Sequence, residues 1–211
     1  MSGLFITMEG TDGSGKTTQI ELLKNYLENK GFSVLCTREP GGNPISEKIR
    51  EIIIDIENKK MKSRTEALLY AAARAQLVSE VIIPTLKKGD IVICDRFVDS
   101  SIVYQGGARK IGEELIAEIN NFATDGLEPD ITFFLKLDPE KSIERKKQQE
   151  ELDRIEAENS YFHKKVFYGY VELAKKFPER IKTIDAFDDI DIVHNNIIKY
   201  IDDLLLKRSF L

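Results

Sequence analysis

The sequence has 211 residues, of which 42% are hydrophobic and 32% are charged, and its formal net charge is −5. This length is sufficient for one domain with a substantial buried core, and the composition is that of an ordinary globular protein. The acidic balance argues against a protein that binds nucleic acid non-specifically, because phosphate backbones require a basic surface, but a small anionic ligand could still be held in a locally basic pocket.

Few features point to an oxidising compartment, a metal centre or a membrane. Cys36 and Cys94 lie in apolar runs and are expected to be buried free thiols, not a disulfide. His163 and His194 stand alone, so no Cys/His group has the spacing of metal ligands. The first residues lack the basic and apolar segments of a signal peptide, and no window approaches the apolar length of a membrane span. We therefore expect a cytoplasmic protein with neither nucleic acid nor a membrane as its partner.

Short β-rich runs alternate with longer helical runs, which is typical of parallel strands joined by helical crossovers. Five strands are predicted, at 4–8, 32–37, 90–94, 131–137 and 181–184. Helices are predicted at 16–29, 45–56, 64–87, 99–105, 112–125, 139–158, 159–177 and 190–207. Pro84 is expected to kink or end the helix in which it lies, and the third strand, apolar throughout, is expected to be central and covered on both faces. The expected fold is α/β, with a five-stranded parallel sheet and helices on both faces.

The strongest motif follows the first predicted strand and matches the pattern GxxxxGK[ST]. It consists of Gly10-Thr11-Asp12-Gly13-Ser14-Gly15-Lys16-Thr17. In such a loop the glycines let backbone N–H groups surround phosphate oxygens, and the next helix directs its N-terminus at the same oxygens. Lys16 is expected to reach the β- and γ-phosphates of a nucleotide, and the Thr17 hydroxyl to ligate Mg²⁺. A chance glycine-rich turn is the alternative, and the strand and helix on either side disfavour it.

The third predicted strand ends in Asp95-Arg96-Phe97, at the edge of the sheet where phosphate sites form. A carboxylate there can hold Mg²⁺ directly or through water, and the adjacent arginine can bridge the phosphates of donor and acceptor. Alone, Asp95 and Arg96 would more often be a surface ion pair, but the phosphate-binding loop favours the functional interpretation. No NKxD motif follows a later strand, which disfavours a GTPase.

Five segments together resemble the thymidylate kinases, and they span nearly the whole chain. They are FITMEGTDGSGKTTQ at 5–19, TREPGG at 37–42, YAAARAQ at 70–76, DRFVDSSIVYQG at 95–106 and LDRIE at 152–156. Each is weak alone, but the set in this order is specific. The resemblance implies a P-loop nucleoside monophosphate kinase, usually a homodimer, built as a single domain over 1–211 with a short helical lid at about 141–158. It also implies that the γ-phosphoryl group of MgATP is transferred to dTMP, giving dTDP and ADP for dTTP synthesis.

For the donor side, the resemblance implies a set of ATP-binding residues in and just after the loop. They are Gly10, Thr11, Asp12, Gly13, Ser14, Gly15, Lys16, Thr17 and Thr18. Thr17 and Asp95 are the expected metal ligands. Asp12 would orient the acceptor or the metal, although turn chemistry also favours aspartate there. Arg38 and Glu39 would close over the acceptor, and Arg96 would hold its phosphate.

For the acceptor base and sugar, the resemblance implies two pairs of side chains with helical spacing. Tyr70 and Arg74 are four residues apart and share a helix face; Tyr70 would stack on thymine and Arg74 would donate to a base carbonyl. Core packing among the adjacent alanines is the alternative for Tyr70. Ser101 and Gln105, also four apart, would meet the polar edge of thymine. Tyr104 would lie under the sugar, where its ring would crowd a 2′-hydroxyl.

The lid departs from the family pattern. Gly13 follows Asp12, so the arginine that stabilises the transferring phosphoryl group must come from the lid, as in one class of these kinases. Relatives of that class often have several alternating arginines before LDRIE, whereas this chain has lysines and glutamines and retains only Arg145 and Arg154. Our hypothesis is that Arg145 or Arg154 supplies the guanidinium and that Lys147 assists. A solvated charged helix is the alternative for the residues between them.

Two other functions fit parts of the pattern. Another nucleotide or deoxynucleoside kinase could share the fold, and its acceptor residues would then differ in chemistry from the set above. An ATP-binding switch could use turnover to control partner binding, and its hydrolysis would not respond to dTMP. The acceptor-site matches favour the thymidylate kinase hypothesis over both. The helix at 64–87 is the candidate dimer surface, although its apolar residues could equally cover the sheet.

Overall fold

The computed structural model describes residues 3–142 and 153–208 of the chain. Its five strands are β1 Leu4–Glu9, β2 Val34–Arg38, β3 Ile91–Asp95, β4 Ile131–Lys136 and β5 Ile181–Asp185. They form one parallel sheet in the order β2-β3-β1-β4-β5. The predicted α/β fold with a five-stranded parallel sheet is therefore confirmed. The middle strand is β1, not β3 as expected, but β3 lies inside the sheet and its residues 91–94 are buried.

Helices cover both faces of this sheet. Within the described ranges they are α1 Lys16–Asn29, α2 Pro44–Ile54, α3 Ser63–Leu77, α4 Ile83–Lys87, α5 Val98–Ser101, α6 Glu113–Thr124, α7 Ser160–Lys176 and α8 Ile190–Lys207. Two π-helical segments add to them, Val78–Ile82 between α3 and α4 and Ile102–Ala108 after α5. The predicted helices at 99–105 and 112–125 thus correspond to α5 with its π-helical extension and to α6.

Pro84 was expected to kink or end its helix, but it does not end it, because helical structure continues over Ser63–Lys87. Pro84 lies in the first turn of α4, and the turn before it is the π-helical segment Val78–Ile82, which closes with the Ile83 N–H on the Val78 carbonyl. Proline has no N–H, and its ring crowds the carbonyl four residues earlier. The helix accommodates both by widening one turn instead of ending.

The charged stretch that was predicted as one helix at 139–158 is helical at 139–142, but residues 153–158 form turns, so that part of the prediction is wrong. The Asp153 carboxylate accepts the backbone N–H groups of Ile155 and Glu156, both at 2.8 Å. Such a local bond offers the backbone an alternative to the helix. Residues 143–152 lie outside the described part of the chain.

The core divides into layers on the two sides of the sheet. On one side, α1 and α8 cover alternate residues of β1, including Leu4, Ile6 and Met8. On the other side, Phe5 meets Phe97 edge to face, with ring centroids 5.0 Å apart, beneath residues of α3 and the following π-helical segment. Cys36 and Cys94 are free thiols; Cys94 is buried, as predicted, whereas Cys36 is only partly buried.

The helical stretch Ser63–Lys87 meets the length and composition test for a membrane span, contrary to the prediction that no window would. One such helix is a weak indication, because core helices of soluble proteins have the same composition. Here α3 packs against α2 and α6, and α4 packs against β3. Only 39% of the most apolar window is buried, however, so part of its apolar surface lies outside the core.

Candidate active site

The carboxyl ends of β1, β2 and β3 converge at one edge of the sheet. Met8 is opposite Asp95 and Arg38 is also opposite Asp95, so the segments that follow these three strands are neighbours. Two adjoining pockets open at this edge, one over the glycine-rich loop and one beside α3 and α5. This is the crevice in which ligands bind in open α/β sheets.

The glycine-rich loop runs between β1 and α1, as predicted. Gly10 has φ 143°, and a Cβ there would lie 2.7 Å from the Leu135 carbonyl oxygen of β4, so only glycine fits this turn. The Lys16 ammonium folds over the loop and donates to the carbonyls of Thr11 at 3.1 Å and Gly10 at 3.4 Å. Burial lowers the pKa of Lys16. These carbonyls hold the ammonium beside the loop in this structure.

The pocket over this loop contains seven of the nine predicted ATP-binding residues. Its lining comprises Asp12, Gly13, Ser14, Gly15, Lys16, Thr17, Thr18, Gln19, Arg38, Glu39, Arg50, Asp95, Arg96, Glu156, Ala186, Asp188, Ile190 and Val193. Gly10 and Thr11 lie behind it. The Thr11 hydroxyl bonds to the Ser142 hydroxyl at 2.7 Å, and Ser142 also donates to the Asp12 carbonyl, so the loop is tied to the start of the lid.

Sequence reasoning missed the wall formed by residues 186–193. These residues follow β5, so they lie at the same edge of the sheet as the residues that follow β1 and β3. Strand order alone could have identified this wall. The roles of its side chains could not be predicted, because the segment carries no motif.

The predicted metal ligands, Thr17 and Asp95, line the same pocket. The Asp95 Oδ1 atom is buried and has no hydrogen-bond partner in the protein. An unpaired carboxylate oxygen beside a hydroxyl suits Mg²⁺, which prefers oxygen ligands and keeps several waters. Among the described residues there is no cluster of three or more His, Cys, Asp or Glu side chains that could hold a metal alone. The site therefore fits an ion that takes most of its ligands from phosphate and water.

Arg96 lies on the boundary between the two pockets and lines both. Its backbone has φ 69°, which non-glycine residues seldom adopt. Its Nη2 donates to Asp12 Oδ1 at 2.6 Å, and its Nη1 donates to the hydroxyls of Ser100 and Tyr170, both at 3.3 Å. The guanidinium is thus held over the place where the two pockets meet.

The second pocket brings together seven of the eight residues predicted to bind the acceptor. Its lining comprises Asp12, Glu39, Pro40, Arg50, Ile54, Tyr70, Arg74, Arg96, Ser100, Ser101, Tyr104, Gln105, Asp153, Ile155 and Glu156. Arg38 is the exception. It lines the loop pocket and pairs with Glu47 at 2.9 Å near the surface.

Arg50 is a basic residue that sequence reasoning did not single out, although it lines both pockets. It lies on α2, and its Nη1 donates to the Pro40 carbonyl at 3.1 Å. On the sequence it is one charged residue of an amphipathic helix, and nothing in that pattern distinguishes it from its neighbours.

Arg74 is 1% exposed on its side chain, and its guanidinium makes four hydrogen bonds and an ion pair within the protein. Nε and Nη2 meet Glu39 Oε2 at 2.7 and 2.5 Å, and Nη2 also donates to the Phe97 carbonyl at 3.0 Å. Nη1 donates to the Ser101 hydroxyl at 3.0 Å and to Asn120 Oδ1. A contact from Arg74 to a base carbonyl would require sharing one of these donors, so Arg74 also serves as the bracket that holds Glu39 and Ser101.

The other predicted acceptor residues present polar atoms or ring faces to the pocket. The Tyr104 hydroxyl is buried with no hydrogen-bond partner, and burial raises its pKa. Gln105 Nε2 donates to Glu66 Oε1 at 3.0 Å, which leaves its carbonyl oxygen as the remaining polar atom of the amide. Tyr70 is half-buried and lines the pocket, so it is not enclosed among its alanine neighbours.

Arg154 was predicted to act on the transferring phosphoryl group, but this structure places it elsewhere. Its side chain, 10% exposed, pairs with Glu66 at 2.8 Å and donates from Nε to the Ile53 carbonyl at 2.7 Å. It lines neither of the two pockets described above. Arg154 therefore clamps residues 153–158 to α2 and α3 in this conformation. Arg145 and Lys147, the other lid candidates, lie outside the described residues.

Comparisons with known proteins agree with each other. The family model described as thymidylate kinase matches residues 8–197 of the chain. The thymidylate kinase of Caldanaerobacter subterraneus subsp. tengcongensis is 49% identical over 205 residues, covering 97% of this chain and 98% of that protein. The thymidylate kinase of Geobacillus sp. is 49% identical over 210 residues, covering 99% and 100%. The solved structure of thymidylate kinase from Ehrlichia chaffeensis is similar, with a TM-score of 0.76 and 35% identity over 94% of this chain and 98% of that one.

Proposed function

This chain belongs to the thymidylate kinase family, and on that premise we propose that the loop pocket holds ATP and the second pocket holds dTMP. The reaction is that of the family. An oxygen of the dTMP phosphate forms a bond to the γ-phosphorus of ATP, the bond from that phosphorus to the β–γ bridging oxygen breaks, and dTDP and ADP result. The chain is an ATP-dependent nucleoside monophosphate kinase.

Phosphoryl transfer leaves little covalent chemistry to the protein, so catalysis depends on positioning and on charge stabilisation. We assign the donor phosphates to the loop 10–15, to Lys16 and to the start of α1. Arg96 would hold the acceptor phosphate, which its position on the boundary between the pockets supports. Asp12 pairs with Arg96, so its carboxylate would orient the guanidinium and the acceptor without adding an uncompensated charge.

Thr17 and Asp95 are the residues that would hold Mg²⁺. When bound, the ion would neutralise charge on the β- and γ-phosphates. The unpaired Asp95 Oδ1 supports this assignment.

We place thymine between Tyr70 and the edge formed by Ser101 and Gln105. The ring of Tyr70 would stack on the base, and the Gln105 carbonyl oxygen would accept the thymine N3–H. Tyr104 would lie under deoxyribose, where its unpartnered hydroxyl and its ring leave little room for a 2′-hydroxyl. Discrimination by such buried polar groups is worth about 1–3 kcal/mol for each unmatched group.

We propose Arg145 as the lid arginine that stabilises the transferring phosphoryl group. Arg154 is engaged by Glu66 and the Ile53 carbonyl, which supports a structural role for it instead. Lys147 remains the proposed assistant as a point charge without the planar fork of arginine.

We further propose a cytoplasmic homodimer in which each chain acts as a single domain over 1–211. The dimer would form on the outer stripe of α3, where Leu68 is 58% exposed and Ala72 is also exposed. An apolar stripe at this spacing on a helix already packed against α2 and α6 supports a self-associating surface.

The observation that carries the proposed function is the convergence of Tyr70, Ser101, Tyr104 and Gln105 in one pocket that shares Asp12 and Arg96 with the phosphate-loop pocket. The test is ADP release from MgATP with dTMP, dUMP, dCMP, dGMP or UMP as acceptor, with Lys16→Ala as the inactive control. Turnover that depends on dTMP and yields dTDP is the expected result. Preference for another monophosphate would reject the acceptor assignment, and hydrolysis indifferent to every acceptor would favour an ATPase switch.

A further inference from the structure

Glu9 is a buried carboxylate at the end of β1 with no role in the function proposed above. Its Oε1 accepts the backbone N–H groups of Phe97 at 2.8 Å and Ser100 at 3.3 Å. Its Oε2 accepts the hydroxyls of Ser100 at 2.6 Å and Tyr170 at 2.8 Å. All four of these hydrogen bonds are donated to the carboxylate, an arrangement that suits its ionised form.

The two hydroxyls that Glu9 binds also face Arg96. Each hydroxyl has one hydrogen, and the carboxylate is the strongest acceptor near both. The Ser100 and Tyr170 oxygens then turn their lone pairs towards Arg96 Nη1, which lies 3.3 Å from each. Glu9 therefore makes both hydroxyls acceptors for the guanidinium, although it does not touch Arg96 itself.

Glu9 also fixes the backbone around Arg96. Phe97 and Ser100, whose N–H groups it binds, follow Arg96 directly at the start of α5. Arg96 itself is held at φ 69° and donates its backbone N–H to the Met8 carbonyl at 2.9 Å. Strand β1 thus restrains Arg96 in two ways. The Met8 carbonyl accepts the N–H of Arg96 itself, and the Glu9 carboxylate accepts the N–H groups of Phe97 and Ser100, which come after Arg96 in the chain.

We propose that Glu9 is a positioning residue for phosphoryl transfer, which acts through the hydroxyls of Ser100 and Tyr170 to orient the Arg96 guanidinium towards the acceptor phosphate. This inference rests on the proposed function, because it takes Arg96 as the group that binds that phosphate. Glu9 lies behind the residues that line the pocket, and its hydrogen bonds connect β1 with α5 and α7.

Charged and titratable groups face Glu9 from every surrounding element. They are Asp99 on α5, Arg96 after β3, Cys94 on β3, Lys16 on α1, Tyr170 on α7 and Arg180 before β5. Burial and the nearby Asp99 raise the pKa of Glu9 to about 7, although Ser100, Arg96 and Tyr170 favour the ionised form.

As the pH falls through this range, Glu9 gains a proton and becomes a donor to one hydroxyl. That hydroxyl can no longer donate to Glu9, so its hydrogen turns either to the other hydroxyl, since the Ser100 and Tyr170 oxygens are 2.8 Å apart, or towards Arg96. In both cases the pair of hydroxyls loses the arrangement in which both accept from the guanidinium with their hydrogens fixed on Glu9. The ionised form of Glu9, on which this arrangement depends, therefore predominates above about pH 7 and declines below it.

The test compares Glu9→Gln with wild type in the assay with dTMP. Glutamine has the shape of the protonated acid, so we expect kcat/KM for dTMP to fall about 10–100-fold, the effect of a small misplacement at a reacting centre. KM for ATP should change by less than about threefold, because the loop pocket keeps its own contacts. The acid limb of the pH profile near 7 should be absent in the variant.

A double-variant cycle distinguishes this role from a general loss of packing. In a Ser100→Ala/Tyr170→Phe background the connecting hydroxyls are gone, so Glu9→Gln should add less than about threefold. Asp130→Asn is the matched control. Asp130 also accepts a backbone N–H, that of Phe5 at 2.8 Å, but lies at the opposite edge of the sheet, and its kcat/KM should equal that of wild type.

Two results would overturn the inference while leaving the proposed function in place. One is a kcat/KM for dTMP of Glu9→Gln that is within about twofold of wild type. The other is a Glu9→Gln effect on kcat/KM that is as large in the Ser100→Ala/Tyr170→Phe background as in wild type. If Glu9→Gln does not fold, as thermal melting would reveal, Tyr170→Phe carries the test. A loss in kcat/KM for dTMP with KM for ATP preserved supports the inference, and unchanged kinetics reject it. A wild-type chain without dTMP-dependent turnover would instead reject the proposed function.

Discussion

Some polar side-chain atoms at the acceptor pocket have hydrogen-bond partners within the protein, and others have none among the described residues. Arg74 makes four hydrogen bonds and an ion pair to protein acceptors, whereas the Tyr104 hydroxyl and Glu39 Oε1 are buried without a hydrogen-bond partner. An unpaired buried polar atom costs about 1–3 kcal/mol, so these two atoms are the ones that gain most from a ligand. Arg74 contributes by keeping Glu39 and Ser101 in place.

This view of Arg74 predicts a stability cost as well as a kinetic one. In Arg74→Lys the ammonium has three donors and no planar fork, so at least two buried acceptors lose their partner. We expect the free energy of unfolding to fall by about 2–4 kcal/mol and KM for dTMP to rise. Chemical denaturation and steady-state kinetics measure the two effects. Arg64→Lys, in the exposed first turn of the same helix, is the control, and equal stability of the two variants would contradict the bracket role.

Alanine substitutions of the two lid arginines, Arg145 and Arg154, should differ in their effect on kcat. We expect Arg145→Ala to lower kcat by about 10³-fold or more, the contribution typical of a supplied arginine. Arg154→Ala should act on stability and lid placement, with a smaller loss in kcat, because its guanidinium binds Glu66. Single-turnover measurements at saturating dTMP and ATP would decide this. A larger loss in kcat for Arg154→Ala than for Arg145→Ala would show that Arg154 leaves Glu66 when the lid closes.

Residues that lie close together on the chain could be placed together from the sequence. Tyr70 and Arg74 are four residues apart, as are Ser101 and Gln105, and Arg96 follows a strand beside a phosphate loop. The roles proposed for the first four come from the resemblance of five ordered segments to the thymidylate kinases. Glu9 could not be predicted in the same way. Its partner Tyr170 is 161 positions away, and on the sequence Tyr170 is one of several aromatic residues in an amphipathic helix.

At the scale of elements, one buried carboxylate joins three parts of the fold. Glu66 on α3 binds Gln105 of the π-helical segment at 3.0 Å, Arg109 at 3.2 Å and Arg154 of the lid region at 2.8 Å. Arg109 also pairs with Glu158 at 2.5 Å. Helix periodicity predicts that these elements exist but not that they meet, because Glu66 reads as an ordinary polar residue of the first turn. The failed prediction of a helix through 153–158 has the same origin, since this tertiary anchor competes with helix propensity.

Removing this charge should destabilise the protein in a pH-dependent manner. Glu66 is 2% exposed. Glu66→Gln removes the carboxylate that pairs with both Arg109 and Arg154, and of these two only Arg109 keeps a second carboxylate within the described part of the chain, that of Glu158. We expect a loss of about 3 kcal/mol at pH 7, which corresponds to a Tm lower by about 6–12 °C for a chain of this size. Glu172→Gln, which disrupts an exposed pair with Lys175, should change Tm little.

The pH dependence has a definite sign. Burial opposes ionisation of Glu66, but the bonds from Gln105, Arg109 and Arg154 outweigh it and lower its pKa below the usual 4.5. Its contribution is therefore complete above about pH 4.5 and is lost as pH falls through the lower folded-state value. The difference in Tm between wild type and Glu66→Gln should shrink in acid, and a difference that stays constant from pH 7 to pH 3 would show that the charge is not responsible.

At the scale of the whole molecule, packing within one chain leaves large apolar side chains exposed on the surface. Leu68 on α3 is 58% exposed and Phe122 on α6 is 90% exposed, and these helices pack against each other. The parallel sheet and its helical layers were predictable from alternating strands and helices, but the central position of β1 was not. The use of the outer face of α3 was not, because periodicity alone cannot distinguish residues that cover a sheet from residues that cover a second chain.

The proposed dimer can be tested at this scale. We expect light scattering after size-exclusion chromatography to give twice the chain mass for wild type and the chain mass for Leu68→Glu, because a carboxylate in the contact would be buried without a partner. Leu206→Glu changes a residue of similar exposure, 63%, on α8 and should remain dimeric. A dimer that survives Leu68→Glu would place the interface elsewhere.

The shared wall between the two pockets has a pharmacological consequence. Asp12, Glu39, Arg50, Arg96 and Glu156 line both cavities, so under the proposed function the two nucleotides would lie end to end with their phosphates towards this shared wall. A single molecule with adenosine at one end, thymidine at the other and a phosphate chain of suitable length could occupy both at once. Tethering makes the second binding event intramolecular, and a well-matched linker can raise the overall affinity by about 10²–10⁴-fold over either half. Inhibitor length, set by the span across Arg96, would then matter more than the strength of any single contact.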